Sequence, residues 1–161
     1  MRVLGIDPGS RRTGWGVVQL EGTRLRHIAA GTIAVPEKLP LPKRLHLIHR
    51  GLQQVIAEHQ PETVAVEEIF FAKYANAALK LGHARGVALL AAAESELEVH
   101  EYPPAIVKRT VVGRGSADKT QVGRLVSALL GLKAPPEEDA ADALAVAITH
   151  IQASRSQAIG R

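Results

Sequence analysis

Cysteine is absent from the 161-residue chain, which excludes disulfides and thiolate metal sites alike. No apolar run approaches the roughly 20 residues that span a membrane as a helix. The opening MRVLGIDPGS also lacks the pattern of a secretory leader. A cytoplasmic protein with no membrane partner is the expectation. Histidine is present, but His27, His46, His49, His59, His83, His100 and His150 show no zinc-ligand spacing and have no cysteine to complete a set. They read as structural or surface groups, with His150 a helical distance from Asp142. Phenylalanine is nearly missing: Phe70 and Phe71 are the only two, and they are adjacent. There is no internal repeat and no linker. A single domain over residues 1–152 is expected, and the polar residues 153–161, without a core pattern, read as a flexible tail.

What the chain does contain is enough for a core. Hydrophobic residues make up 46% and charged residues 22%, the balance of a folded domain rather than a disordered one. The formal net charge is +4, which favours an anionic partner, but its distribution says more than its total. Residues 101–133 hold six Lys/Arg against two acids, whereas residues 134–150 hold four acids and no Lys/Arg. A uniform basic coat has no need of that contrast.

Residues 2–6 read as a buried strand ended by the turn Asp7-Pro8-Gly9-Ser10. Residues 15–20 and 25–35 read as two more strands, completing an antiparallel meander. Leu45, Ile48, Leu52, Val55 and Ile56 fall at helical spacing, and residues 63–66 form another β-rich run that stops at Glu67-Glu68. An Ala- and Leu-rich helix follows over 75–97, then a fifth strand over 99–102 halted by Pro103-Pro104. Ser116 caps a helix that Gly131 ends, and Pro135-Pro136 introduces a last helix to about residue 151. A meander followed by alternating strands and helices predicts an α/β fold with a mixed sheet.

Three places in this pattern end in carboxylate. Asp7 follows the first strand, Glu67 follows the fourth, and Asp139 and Asp142 sit three apart near the start of the last helix. In open α/β sheets, functional groups gather beyond the carboxyl ends of strands. If the two strands are parallel neighbours, about 4.8 Å apart, Asp7 and Glu67 lie side by side. Residues i and i+3 project from one helix face, so Asp139 and Asp142 can join them. Carboxylates brought together repel unless a cation sits between them, and a hard divalent ion with oxygen ligands, Mg²⁺ before others, suits the set. A helix N-terminus helps to keep the two aspartates ionised. The plainer alternative is that acids in a first helical turn are dipole partners, as Glu137 and Glu138 are read here, and that Asp7 closes a turn onto Gly9.

Taken together, the stretches GIDPGSRRTGWGVV, VAVEEIFFAKYANAALKLGHARGVALLAA, EYPPAIVKRTVVGRGSADKTQVGRLV and DAADALAVAITH resemble the RuvC-type Holliday junction resolvases, members of the RNase H-like nuclease and integrase group. The resemblance spans nearly the whole chain up to about residue 152. It implies an RNase H-like mixed five-stranded sheet flanked by helices. It also implies a homodimer that cuts opposed strands of a four-way DNA junction symmetrically, as in homologous recombination and DNA repair. The family's catalytic acids fall on Asp7, Glu67, Asp139 and Asp142, which would also be the metal ligands. Two Mg²⁺ per active site are implied during cleavage, with Mn²⁺ as a substitute, and the RuvA-RuvB branch-migration complex is implied as a partner.

The basic segment then acquires a role. Lys108, Arg109, Arg114 and Lys119 would neutralise phosphates, a salt-dependent and sequence-independent task, while Arg124 reads as a solvated helix face. By resemblance, Lys108 and Lys119 lie near the active centre, and Lys119 counts among the catalytic residues because it can stabilise charge on the scissile phosphate. Adjacent residues in extended backbone point to opposite sides. One of Phe70 and Phe71 therefore faces inward and the other can stack on an unpaired base; the resemblance favours Phe70, flanked by Lys73 and Tyr74. Arg85, in the middle stretch, joins the expected DNA contacts. The small-residue helix over 75–97 packs either wholly in the core or also on its copy across a twofold axis. Three rival functions share parts of the pattern: an RNA-processing RNase H-like enzyme, an actin-like ATPase, for which the chain is too short, and a noncatalytic junction scaffold, which has no need of all four acids.

Overall fold

The computed structural model describes residues 1–68, 74–113 and 119–159, with Lys119, Thr120 and Ile159 described by backbone alone. Five strands form one sheet in the order β3-β2-β1-β4-β5: β1 (Arg2–Asp7), β2 (Arg12–Glu21), β3 (Arg24–Ala34), β4 (Thr63–Glu67) and β5 (Glu98–Tyr102). The first three pair antiparallel. β4 and β5 add in parallel, with Ile6 opposite Val66 and Glu67 opposite Tyr102. This is the expected RNase H-like mixed sheet.

Side chains alternate across a strand, so each strand feeds two cores. Leu4, Ile6, Val17, Val64 and Val66 pack with Ile48 and Leu52 of α1 (Leu41–His59) and with Ala88, Ala91 and Ala92 of α2 (Ala75–Glu94). Val3, Val18 and Ala65 face the other way. They pack with α3 (Pro104–Val112), α4 (Lys119–Leu130) and α5 (Glu138–Ile159) through Val107, Val111, Val126, Leu144 and Ile148.

α5 is the helix about which this second layer is built. Between Ala140 and Ile151 only Asp142 is not buried. Gly5 and Gly14 let it come close: a Cβ on Gly5 would stand 1.9 Å from the Ala143 carbonyl oxygen, and one on Gly14 would stand 2.0 Å from that of Asp139. Backbone therefore lies directly on backbone where α5 crosses β1 and β2.

Two elements differ from the sequence reading. Pro103-Pro104 does not simply halt β5. Pro104 takes the first position of α3, where its missing N–H is not needed and its fixed φ suits the helix. The last helix does not stop near residue 151 but runs to Ile159, so residues 153–159, read as a flexible tail, are helical. Ser154 and Ser156 each donate from Oγ to the carbonyl four residues earlier, so their hydroxyls are paired within the helix. The expected cap at Ser116 lies outside the described residues.

Candidate active site

Strand parity decides where the first two carboxylates go. Gly5 and Ala65 face α5, and two residues on, at the ends of the same parallel strands, Asp7 and Glu67 face the same way. Asp139 and Asp142 come from the first turns of α5 above them. All four line one cleft of ≈ 360 Å³, closed by Val107, Lys108 and Val111 of α3 and by Val122 of α4. The convergence expected from the sequence is present. Glu138, read there as a solvated first-turn charge, also lines this cleft, whereas Glu137 stays exposed outside it.

The Glu67 carboxyl is pushed above the usual range, first by burial, then by the charge of Asp142, with Lys108 pulling the other way. Lys108 is thus near the acids, where the resemblance put it. Asp139 is held differently. Arg12, the first residue of β2, donates from Nε to Asp139 Oδ2 at 2.7 Å and from Nη2 to Glu137 Oε2 at 3.3 Å, and Thr32 Oγ1 also bonds Glu137. The hydrogen bond to Asp139, followed by its charge, holds the Arg12 guanidinium above its ordinary value. Arg12 was missed by the sequence reading. Its only signal was its place two residues past the acidic strand-end turn.

The turn after Asp7 is closed by Thr13, which is fully buried: its Oγ1 donates to the Gly9 carbonyl at 2.9 Å and accepts from the Gly9 N–H at 3.3 Å. Arg109 is exposed in the last turn of α3. Arg124, read as a solvated face, is exposed on α4. Arg85 does not line the cleft; its Nη2 bonds Glu101 Oε2 at 2.5 Å, which ties α2 to β5. His150 is buried and turned away from the acids, stacked on His100 and hydrogen-bonded through Nδ1 to the Tyr102 hydroxyl at 2.7 Å. Phe70, Phe71, Lys73 and Arg114, and the Lys119 side chain, lie outside the described residues.

Carboxylate oxygens are the donor set for a hard divalent cation, and burial, followed by the charge of Asp142, holds the Glu67 carboxyl above the usual range. The set fits such an ion. Among the described residues, however, no three acids or histidines are drawn together tightly enough to hold one as the side chains stand.

The comparisons with known proteins bear on the chain as a whole. The sequence profile of the family "Crossover junction endodeoxyribonuclease RuvC" matches residues 3–150. Proteins of that name from Sorangium cellulosum and Rhodopseudomonas palustris are each 54% identical, over 96% and 99% of this chain and 86% and 94% of theirs. The structure of Thermus thermophilus RuvC in complex with a Holliday junction substrate superposes with a TM-score of 0.91 at 39% identity, covering 98% of this chain and 96% of that one. The yeast mitochondrial Holliday junction resolvase Ydc2, at 14% identity and a TM-score of 0.66, shares the fold. Four acids at one cleft, the sheet that carries them and these matches along its length lead to one statement: the chain belongs to the RuvC family of crossover junction endodeoxyribonucleases.

Proposed function

We propose that the chain resolves four-way DNA junctions by symmetric paired nicks through metal-dependent phosphodiester hydrolysis, in recombination and repair. Asp7, Glu67, Asp139 and Asp142 are its catalytic carboxylates, carried by the nuclease domain of residues 1–152. The observation that carries this reading is that all four line one cleft at the ends of β1 and β4 under the start of α5, in a chain of this family.

The same four residues would hold Mg²⁺, two ions during cleavage, with Mn²⁺ able to substitute. The chemistry such ions supply when bound is neutralisation of the phosphate and acidification of the attacking water. The chain's own residues do the rest. Asp7 and Glu67, fixed by strand pairing, set the floor of the site. Asp139 and Asp142, fixed by the buried stem of α5, set its wall, and the apolar lining from α3 and α4 limits water and strengthens charge interactions there. Lys108 offsets the acids and offers a cation to the phosphate. Lys119, Arg109 and Arg114 bind the backbone nearby, and Phe70, Phe71 and Lys73 meet the junction centre, as the family resemblance implies.

A homodimer serves two symmetric cuts, and α2 supports one. Its inner face buries Ala84, Ala88, Ala91 and Ala92, while Leu79 and Leu90 are 62% and 51% exposed on the outer face. Gly82 and Gly86 lie between them on that face, and a Cβ on either would meet nothing within 4 Å among the described residues. Each costs the helix about 1 kcal/mol, which close approach of a second copy explains. A cytoplasmic location and association with the RuvA-RuvB complex complete the reading. Among the described residues no helix is long and apolar enough to cross a membrane.

The test is direct. Labelled four-way junction, duplex and single strand are incubated with the protein with and without Mg²⁺. Symmetric nicks confined to the junction and dependent on the metal are expected; metal-independent or junction-indifferent cutting overturns the reading.

A further inference from the structure

A second polar cavity opens at the same end of the sheet. Arg12 reaches the carboxylates, but its neighbour Arg11 lines this other space of ≈ 580 Å³, together with Ser10, Arg44, Tyr74, Asn76 and Lys80. Successive residues of one loop thus serve two sites.

Arg44 is the unusual member. It stands near the start of α1 and is only 7% exposed. Its Nη1 donates to the Ser10 carbonyl at 3.1 Å, while its Nε is buried with no hydrogen-bond partner among the described residues. A buried guanidinium carries a charge that is costly to leave without a counterion, and an anion in the cavity that Arg44 lines offsets that charge. The rest of the wall suits an anion too. α2 begins here with Tyr74 as its N-cap, with no side-chain cap among the described residues and no acid in the first turn, so the positive end of its dipole lies at this wall. Lys80 adds an exposed cation one turn on. Glu37 opposes this charge, but its carboxylate lies 2.5 Å from Arg11 Nη2. With Glu37 set against Arg11, the charges of Arg44 and Lys80 are in excess.

We propose that this cavity binds a backbone phosphodiester of the DNA substrate away from the reacting bond, with Arg44 and Lys80 as its cationic contacts and the first turn of α2 as its amide contact. The proposal rests on the functional reading above. The loop of Ser10 and Arg11 directly continues from Asp7, so a strand whose scissile phosphate lies at Asp7 passes this pocket. Arg44 and Lys80 would then fix the register of the strand and take no part in the chemistry.

The experiment measures binding of a four-way junction by the Asp142→Asn protein as salt is varied. Lys80→Gln and Arg44→Met are added singly, with Arg24→Ala, at the far β2–β3 turn, as a control for loss of one positive charge. Thermal melts check folding. Lys80→Gln and Arg44→Met are each expected to weaken binding about tenfold and to lower the slope of log affinity against log salt by about 1, while Arg24→Ala leaves the slope unchanged. In the cleaving protein the same two variants raise KM more than they lower kcat. Should Arg44→Met lose its cooperative melt, Lys80→Gln decides alone. Slopes and affinities equal to those of the control overturn the pocket while junction cleavage by the unsubstituted protein leaves the functional reading standing. A protein that neither binds nor cuts the junction overturns both.

Discussion

Arg12 gives Asp139 a cation before any metal or substrate arrives. The pair is half-exposed, so it is weak enough to be exchanged. Arg12→Ala is expected to tighten Mg²⁺ binding by the DNA-free protein about two- to fivefold, as read by calorimetry; unchanged affinity would mean that Arg12 does not compete with the metal. Asp142 acts on Glu67 by charge as well as by position. Asp142→Asn is expected to reduce junction cleavage about a thousandfold and to leave junction binding within a factor of about three. It should also bring the Glu67 carboxyl down toward the ordinary range, which an NMR titration follows, and cutting at the normal rate would remove Asp142 from the mechanism. His150 makes a separate prediction, for stability. Burial, and then the neighbouring His100, lower it to about 4, against a weaker opposite pull from Glu98. It is neutral in the fold and protonates near 6.5 when unfolded. The unfolded state therefore takes up the proton first, and stability present above pH 6.5 is lost as pH falls toward about 4, by up to about 1.4 kcal/mol per pH unit. Urea unfolding between pH 6.5 and 5 should show a loss of about 2 kcal/mol, and His150→Gln should flatten that part of the curve; an equal slope in both proteins would assign the acid sensitivity elsewhere.

The packing of α5 on β1 is the contact that sets the angle between the aspartates and the strand ends. Gly5→Ala would put a methyl group into the backbone of Ala143, a contact with no flexible side chain to yield. We expect a loss of about 3 kcal/mol or more in urea unfolding, and, in whatever folds, a cleavage defect larger than the binding defect because α5 is lifted from Asp7. A stability change below about 0.5 kcal/mol would show that the crossing has slack. This contact also shows what the sequence made legible. The strand-end acids and their parallel neighbours could be read from β-rich runs that stop at Asp7 and Glu67, since period-2 alternation then fixes the face. The i, i+3 spacing of Asp139 and Asp142 was equally plain. The closeness of α5 was not, because nothing in the local pattern around Gly5 and Gly14 shows that a helix lies over them. α3 escaped because a proline pair is both a stop for a strand and a start for a helix. Arg12, Arg44 and the Arg85–Glu101 tie escaped because each depends on a partner distant in sequence, for which no local pattern exists.

Two opposed cuts in one junction require two active sites held at a fixed separation, and one copy of this chain offers one carboxylate cleft among its described residues. The outer face of α2 is the surface through which a second copy would supply the other. Leu79, His83, Gly86 and Leu90 follow helical spacing along it, with Leu45 of α1 beside them, and the apolar face is too exposed to be explained by the chain's own core. An isologous contact places the same residues on both sides of a twofold axis, so one substitution acts twice. Leu79→Glu with Leu90→Glu introduces four like charges at such an interface. The doubly substituted protein is expected to sediment as a monomer at micromolar concentration with its thermal unfolding little changed, because neither side chain belongs to the core. Each cleft remains complete, so the chemistry persists while its pairing is lost. On a supercoiled plasmid with an extruded cruciform, the unsubstituted protein should give linear product from two cuts within one binding event. The monomer should give nicked circles, which lose the cruciform on relaxation and escape a second cut. Linear product from a proven monomer would separate paired cutting from dimerisation through α2.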